Sequence, residues 1–234
     1  AAHAKDAGAR IQIHLSETQT EHEECKGRHG LTPAAYMEKH GIFDSPTTAA
    51  HCVWLEDEDF DILKRHGVTV ACCPASNLKL ASGYANVPKM LESGINVALG
   101  TDGAASNNNL NIMQDMYLFG VVYKGYFRDP TIITPAEVLH AATRAGALSQ
   151  GRDDSGLLAV GMRADLCVLN TDTPQFTPMT SAACNVVYAA QGADIRMTMV
   201  DGEVLYRDGE FKTIDIEKVK AEVQRRTDSI LSRL

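Results

Sequence analysis

Two histidines, a glutamate and an aspartate carry the chemistry legible in this sequence: His14, Glu17, His51 and Asp102. The histidines and Asp102 offer nitrogen and oxygen donors of the kind that suit Zn²⁺ or Fe²⁺. Glu17 follows His14 by three residues, so it can reach the same cavity without being a ligand. A mononuclear hydrolytic site uses such a set. The ion brings the pKa of water toward about 7, one carboxylate takes the proton, and another acid delivers it to the leaving group. Taken singly, each residue is weak evidence. A histidine at a strand end is more often a satisfied core residue, and an aspartate after a glycine-rich turn is usually a cap.

What joins the four is their place on the elements that must position them. Ile11–His14, Thr48–Val53, Val68–Cys73 and Ile95–Leu99 read as short apolar strands. Helical stretches alternate with them over 18–28, 56–66 and 87–93, with a further helix opened at Thr32-Pro33. Gly67 and Gly94 close two of these helices, and a long helix is expected over 111–127. The alternation indicates βαβ units and a parallel sheet covered on both faces. His14, Glu17, His51 and Asp102 fall at or just past strand C-termini, where parallel α/β proteins build their sites. His22, His29, His40 and His66 fall in helices or loops and read as surface residues; His140 reads as structural.

The second half differs. Thr134-Pro135-Ala136-Glu137 is a capping box opening a helix to about Gly146, with room for another before Gly156. Strand signals follow at 164–169, 195–200 and 203–206, the last two joined by the hairpin pair Asp201-Gly202. Asp215 is placed to cap a terminal helix with Val219, Val223, Ile230 and Leu234 on one face. An α/β part is therefore expected before a small β-module.

Composition narrows the function classes. Hydrophobic content of 44% and charged content of 22% are those of a globular chain rather than a disordered one. The net charge of −8 disfavours a nucleic-acid partner held through phosphates. No apolar run reaches the roughly 18 residues of a membrane span. The six cysteines form no CxxC pair and read as free, buried, reduced thiols, which favours a cytoplasmic protein.

Five stretches carry a resemblance: His14-Leu15-Ser16-Glu17, 50–55, 73–83, 99–108 and 156–166. In this order and spacing they resemble the amidohydrolase superfamily, within it the chlorohydrolases and aminohydrolases. The pattern is closest to the 5-methylthioadenosine/S-adenosylhomocysteine deaminases. The resemblance implies an α/β fold: the C-terminal half of a metal-dependent (β/α)8 TIM barrel, then part of a composite β-sandwich. Residues 1–155 would hold barrel strands five to eight, 156–212 the sandwich segment and 213–234 a C-terminal helix. It implies one divalent metal, Zn first and Fe or Mn as alternatives, with His14 and Asp102 as ligands. Glu17 would shuttle a proton to a ring nitrogen and to leaving ammonia. His51 would orient the attacking water and polarise the reacting centre, and Asp102 would act as general base. Ser76, Asn77 and Ser106 would line the mouth as loop residues and, with Glu17, contact a small amino-heterocycle substrate.

One departure is large. The family carries an HxH pair on its first barrel strand, and no HxH occurs here. At about 30 or more residues per βαβ unit, on the order of 150–200 residues are expected to be missing. The half-barrel is expected to associate, either as a homo-oligomer or with the missing N-terminal half. Three readings stay open: hydrolytic deamination of a purine nucleoside or related heterocycle, chlorohydrolysis at the same site, and a non-catalytic interaction module.

Overall fold

The computed structural model describes residues 1–233. By contacts the chain forms two units, Ala1–Leu157 with Pro174–Gly192, and Leu158–Thr173 with Ala193–Leu234. The segment 174–192, expected within the β-module, thus groups with the first unit.

The first unit opens on a short helix α1 (Ala2–Asp6), then β1 (Ile11–Leu15), α2 (Gln19–His29), α3 (Pro33–Lys39) and β2 (Thr47–His51). It continues with α4 (Asp57–Arg65), β3 (Thr69–Cys72), α5 (Pro74–Lys79), α6 (Val87–Glu92) and β4 (Val97–Leu99). After these come α7 (Ala104–Asn107), α8 (Ile112–Phe127), α9 (Pro135–Ala142) and α10 (Arg144–Ser149). The four strands form one parallel sheet in the order β1-β2-β3-β4, with Leu15 opposite His51 and Cys72 opposite Leu99. Parallel strands have no hairpin route between them, so each is followed by helix that covers the sheet. Ala49, Val70, Val97, Leu63 and Phe119 are buried in that core. The expectation of two covered faces holds for β2 to β4 but not for β1. Gln12 and His14 share its exposed face, while Leu15 on the other face is fully buried.

Helix starts carry side-chain caps, among them Thr32 and the Thr134 box that the sequence indicates. Thr18, Thr32 and Asn111 accept backbone N–H groups at the heads of α2, α3 and α8, and Thr134 with Glu137 closes the capping box of α9. That helix ends at Ala142, short of Gly146. The Thr143 hydroxyl donates to the Leu139 carbonyl at 2.6 Å, and the backbone turns there before α10. His22 also departs from expectation. It is buried, not at the surface, because its Nε2 pairs with Glu56 Oε1 at 3.1 Å. His140 is exposed on α9. All six cysteines are free, but only Cys52, Cys72 and Cys73 are buried; Cys167 and Cys184 are exposed.

In the second unit β5 (Leu166–Leu169) lies in the chain before α11 (Ala182–Tyr188), which belongs to the first unit. Val187 and Tyr188 of α11 lie so close to Gly120 of α8 that a Cβ there would meet them at 3.2 and 3.0 Å. The second unit then adds β6 (Ile195–Val200), β7 (Glu203–Arg207), β8 (Glu210–Phe211) and α12 (Ile216–Leu231). Its sheet is antiparallel in the order β5-β6-β7-β8. Asp201 and Gly202 both take positive φ in the hairpin, as a type I′ turn requires. Asp215 caps α12 through Lys218 N–H at 3.0 Å. Val219, Val223 and Ile230 lie exposed along it, and Leu234 lies outside the described residues. No helix among the described residues is long and apolar enough to cross a membrane.

Candidate metal and catalytic site

The ends of β1, β2 and β4 converge. His14 is on β1, His51 is the last residue of β2, and Asp102 follows β4 by three residues. Nitrogen or oxygen atoms of these three lie within 4.8 Å of one another, the one such group among the described residues. The imidazoles of His14 and His51 stack with centroids 5.1 Å apart. His14 Nε2 is 3.9 Å from Asp102 Oδ1, and Glu17 Oε2 is 3.7 Å from His51 Nε2. The fold thus brings together the four side chains singled out from the sequence. Their exposure differs: His51 is fully buried, whereas the His14 side chain is 68% exposed.

The backbone is bent to achieve this. Ser16, His51, Cys52 and Asp102 all have positive φ, between 48° and 71°. L-residues adopt that conformation at a cost of order 1–3 kcal/mol each, and such residues gather at functional sites. The turns are stitched together. Val53 and Trp54 N–H both donate to the Ser16 carbonyl, and the Trp54 indole N–H donates to the Ser82 carbonyl at 2.8 Å. Ser82 Oγ donates to Glu17 Oε1 at 3.4 Å. The Glu21 carboxylate accepts the N–H groups of Ser16 at 2.9 Å and Glu17 at 2.8 Å.

Ser76, Asn77 and Ser106 stand on helices, not loops. Pro74 at the first turn of α5 starts a helix rather than only ending β3, and Gly103 gives entry to α7. Their polar atoms turn toward the candidate ligands. Ser76 Oγ donates to Asp102 Oδ2 at 2.7 Å, and Ser106 Oγ donates to the same oxygen. Asn77 Oδ1 accepts from His51 Nδ1 at 2.8 Å. Burial alone would push the Asp102 carboxyl up, but the bonds from Ser106, Ser76 and Gly103 N–H, with the nearby His51, hold it below the usual carboxylate range.

These donors fit a divalent ion. His51 Nε2 is buried with no hydrogen-bond partner, and its other nitrogen is engaged by Asn77. Asp102 keeps Oδ1 free of the serine hydroxyls that hold Oδ2. Two imidazoles and an ionised carboxylate are donors that Zn²⁺ accepts. Glu21, Ser82 and Trp54 were not singled out from sequence. Ser82 and Trp54 lie inside the resembling stretches, but Glu21 gave no signal beyond its helix turn.

Known proteins bear on this geometry. The chain matches the amidohydrolase family over residues 1–205. It is 42% identical over 223 residues to a 5-methylthioadenosine/S-adenosylhomocysteine deaminase of Dictyoglomus thermophilum, covering 95% of this chain and 52% of that protein. It is 44% identical over 205 residues to a 5'-deoxyadenosine deaminase of Methanothermobacter thermautotrophicus, covering 88% and 48%. Among solved structures, a zinc-bound adenosine deaminase from Xanthomonas campestris superposes with a TM-score of 0.94 at 28% identity, covering 99% and 53%. A zinc complex of atrazine chlorohydrolase from Arthrobacter aurescens gives 0.88 at 27%, covering 96% and 50%. The chain spans about half the length of the curated relatives it matches. On the family match and these identities, the chain belongs to the amidohydrolase family.

Proposed function

We propose that this chain carries half of the active site of a metal-dependent deaminase that hydrolyses the amino group from an adenosine-type nucleoside. The observation behind this reading is the convergence of His14, His51 and Asp102 within 4.8 Å, beside the Glu17 carboxylate. The parallel sheet is read as the second half of an eight-stranded barrel, and the antiparallel sheet as part of a composite β-sandwich. Relatives about twice as long support this, as does the lack of an HxH pair in these residues. The remaining ligands would come from the other half.

His14 and Asp102 would hold the ion, with His51 Nε2 beside it. Bound there, a divalent ion, zinc by analogy with the solved relatives, supplies Lewis acidity and eases ionisation of water. Glu17 delivers a proton to a ring nitrogen of the substrate, making the amino-bearing carbon more electrophilic. Asp102 takes a proton from the attacking water as its oxygen bonds to that carbon. His51 orients the water. The proton on Asp102 is relayed through Glu17 to the amino nitrogen, the C–N bond breaks with its electron pair on nitrogen, ammonia leaves, and the proton of the new hydroxyl returns to Glu17 as the carbonyl forms.

Glu17 favours deamination over dechlorination, because an amine must be protonated to leave and chloride need not be. The relatives point the same way, with deaminases at 42–44% identity against 27% for the chlorohydrolase. The test is product analysis of the zinc-loaded, full-length protein with adenosine, 5'-deoxyadenosine, 5'-methylthioadenosine and atrazine. Ammonia released mole for mole with the hydroxypurine product supports the reading. Chloride from atrazine without ammonia from any nucleoside would replace it with the chlorohydrolase.

A further inference from the structure

The helices α5 and α7 hold Ser76, Asn77 and Ser106, yet they are only six and four residues long. Neither has a side-chain cap at its N-terminus, and helices this short have little stability of their own. Their placement therefore depends on tertiary partners. One buried carboxylate serves both. Asp115, in the first turn of α8, is 1% exposed. Its Oδ1 accepts the N–H of Ala75 at 3.1 Å, one of the first-turn groups of α5 that have no partner within the helix. Its Oδ2 accepts from Asn107 Nδ2 at 3.1 Å. The second hydrogen of that amide goes to the Thr101 carbonyl at 2.7 Å. One carboxylate thus ties α5, α7 and the turn that carries Asp102.

We propose that Asp115 is a positioning residue, clamping α5 to α7 so that Ser76, Asn77 and Ser106 keep their grip on Asp102 and His51. Its effect on turnover rests on the deaminase reading; its effect on the ion site does not. A carboxylate is needed because both bonds require an acceptor. Asparagine at this position keeps the size but turns an NH₂ toward one of two donors. Burying a carboxylate is costly unless its oxygens are bonded, and here both are.

The test is Asp115→Asn in the full-length, zinc-loaded protein, read by chelator competition and by kcat per bound zinc. Zinc affinity and kcat should each fall about tenfold, as for partners that orient metal ligands, while KM changes less than about twofold. Because Asp115 acts through the serines, Asp115→Asn should cost less than about twofold more in a Ser76→Ala/Ser106→Ala background. Wild-type zinc affinity in Asp115→Asn, or a full additive loss in the serine-free background, overturns the inference. Should Asp115→Asn not fold, Asn107→Ala removes the α7 arm alone and is held to the same two criteria. If wild-type protein deaminates nothing, the functional reading fails, and zinc affinity still decides the role of Asp115.

Discussion

Nδ1 of His51 lies 2.8 Å from Oδ1 of Asn77, with both side chains buried. An amide oxygen only accepts, so Nδ1 is the donor of this bond and Nε2 is the ring nitrogen left to face Glu17 and the candidate ion site. Asn77→Leu should remove this constraint while keeping the number and branching of side-chain heavy atoms. We expect zinc affinity or turnover to fall about 10–100-fold, with a smaller loss in Asn77→Asp, which keeps an acceptor. Chelator competition on the two variants checks this; equal losses would mean that the acceptor is not what matters.

Glu17→Gln keeps shape but cannot shuttle a proton. In the full-length protein kcat should fall about 10²–10⁴-fold. Zinc content should stay at the wild-type level, since Glu17 is not among the candidate ligands. Metal analysis alongside initial rates separates the two roles, and loss of zinc in this variant would make Glu17 a ligand.

The Glu17 turn depends on Glu21. Two backbone N–H groups converge on one carboxylate, next to Ser16 at positive φ. Glu21→Gln leaves one of these N–H groups facing an NH₂. Stability should drop by about 1–3 kcal/mol, the cost of an unsatisfied donor. Hydrogen exchange at the Ser16 and Glu17 amides should speed up by more than at Ala49 in the neighbouring strand. Uniform acceleration across the sheet would instead indicate global loosening.

How far the sequence was legible follows from how local each signal is. His14, His51 and Asp102 could be found because a parallel strand ends where its apolar run ends, and the residue there faces the site. The caps Thr32, Thr134 and Asp215 were legible for the same reason, since each acts within three residues of itself. The short helices α5 and α7 were not, because Ser and Asn are turn formers and these helices are tied by tertiary bonds, those of Asp115 among them, that the local sequence does not show. His22 looked exposed in a polar helix, and its burial depends on Glu56, 34 residues away. The open face of β1 was hidden too, since a strand's neighbours are not written in its own residues.

A salt-linked cluster away from the site gives a pH test of the fold. Glu38 of α3 accepts two guanidinium N–H groups of Arg65, at 2.6 and 2.8 Å to Oε1, and pairs with His66 at 2.8 Å. Burial raises its carboxyl, but these bonds from Arg65 and His66 outweigh it and leave Glu38 below the usual carboxylate range. A lowered folded-state value means stabilisation that is complete above the unfolded-state pKa and lost as pH falls through the folded one. At neutral pH Glu38→Gln should therefore be less stable by about 0.2–1 kcal/mol, the range for partly exposed pairs. The gap should close on acidification. Thermal melts of both proteins from neutral pH into the acid range check this, and a gap that widens in acid would reverse the assignment.

The most direct test of the central claim is a coupled ammonia and metal assay on the full-length protein. Zinc is titrated into metal-free enzyme with 5'-methylthioadenosine as substrate, in wild type and in His14→Ala and Asp102→Ala variants. The account predicts ammonia release that rises with zinc and saturates at one ion per active site. It also predicts that both variants lose high-affinity zinc and turnover together. Wild-type turnover that persists in either variant, or that ignores zinc, would contradict a metal site built on His14 and Asp102.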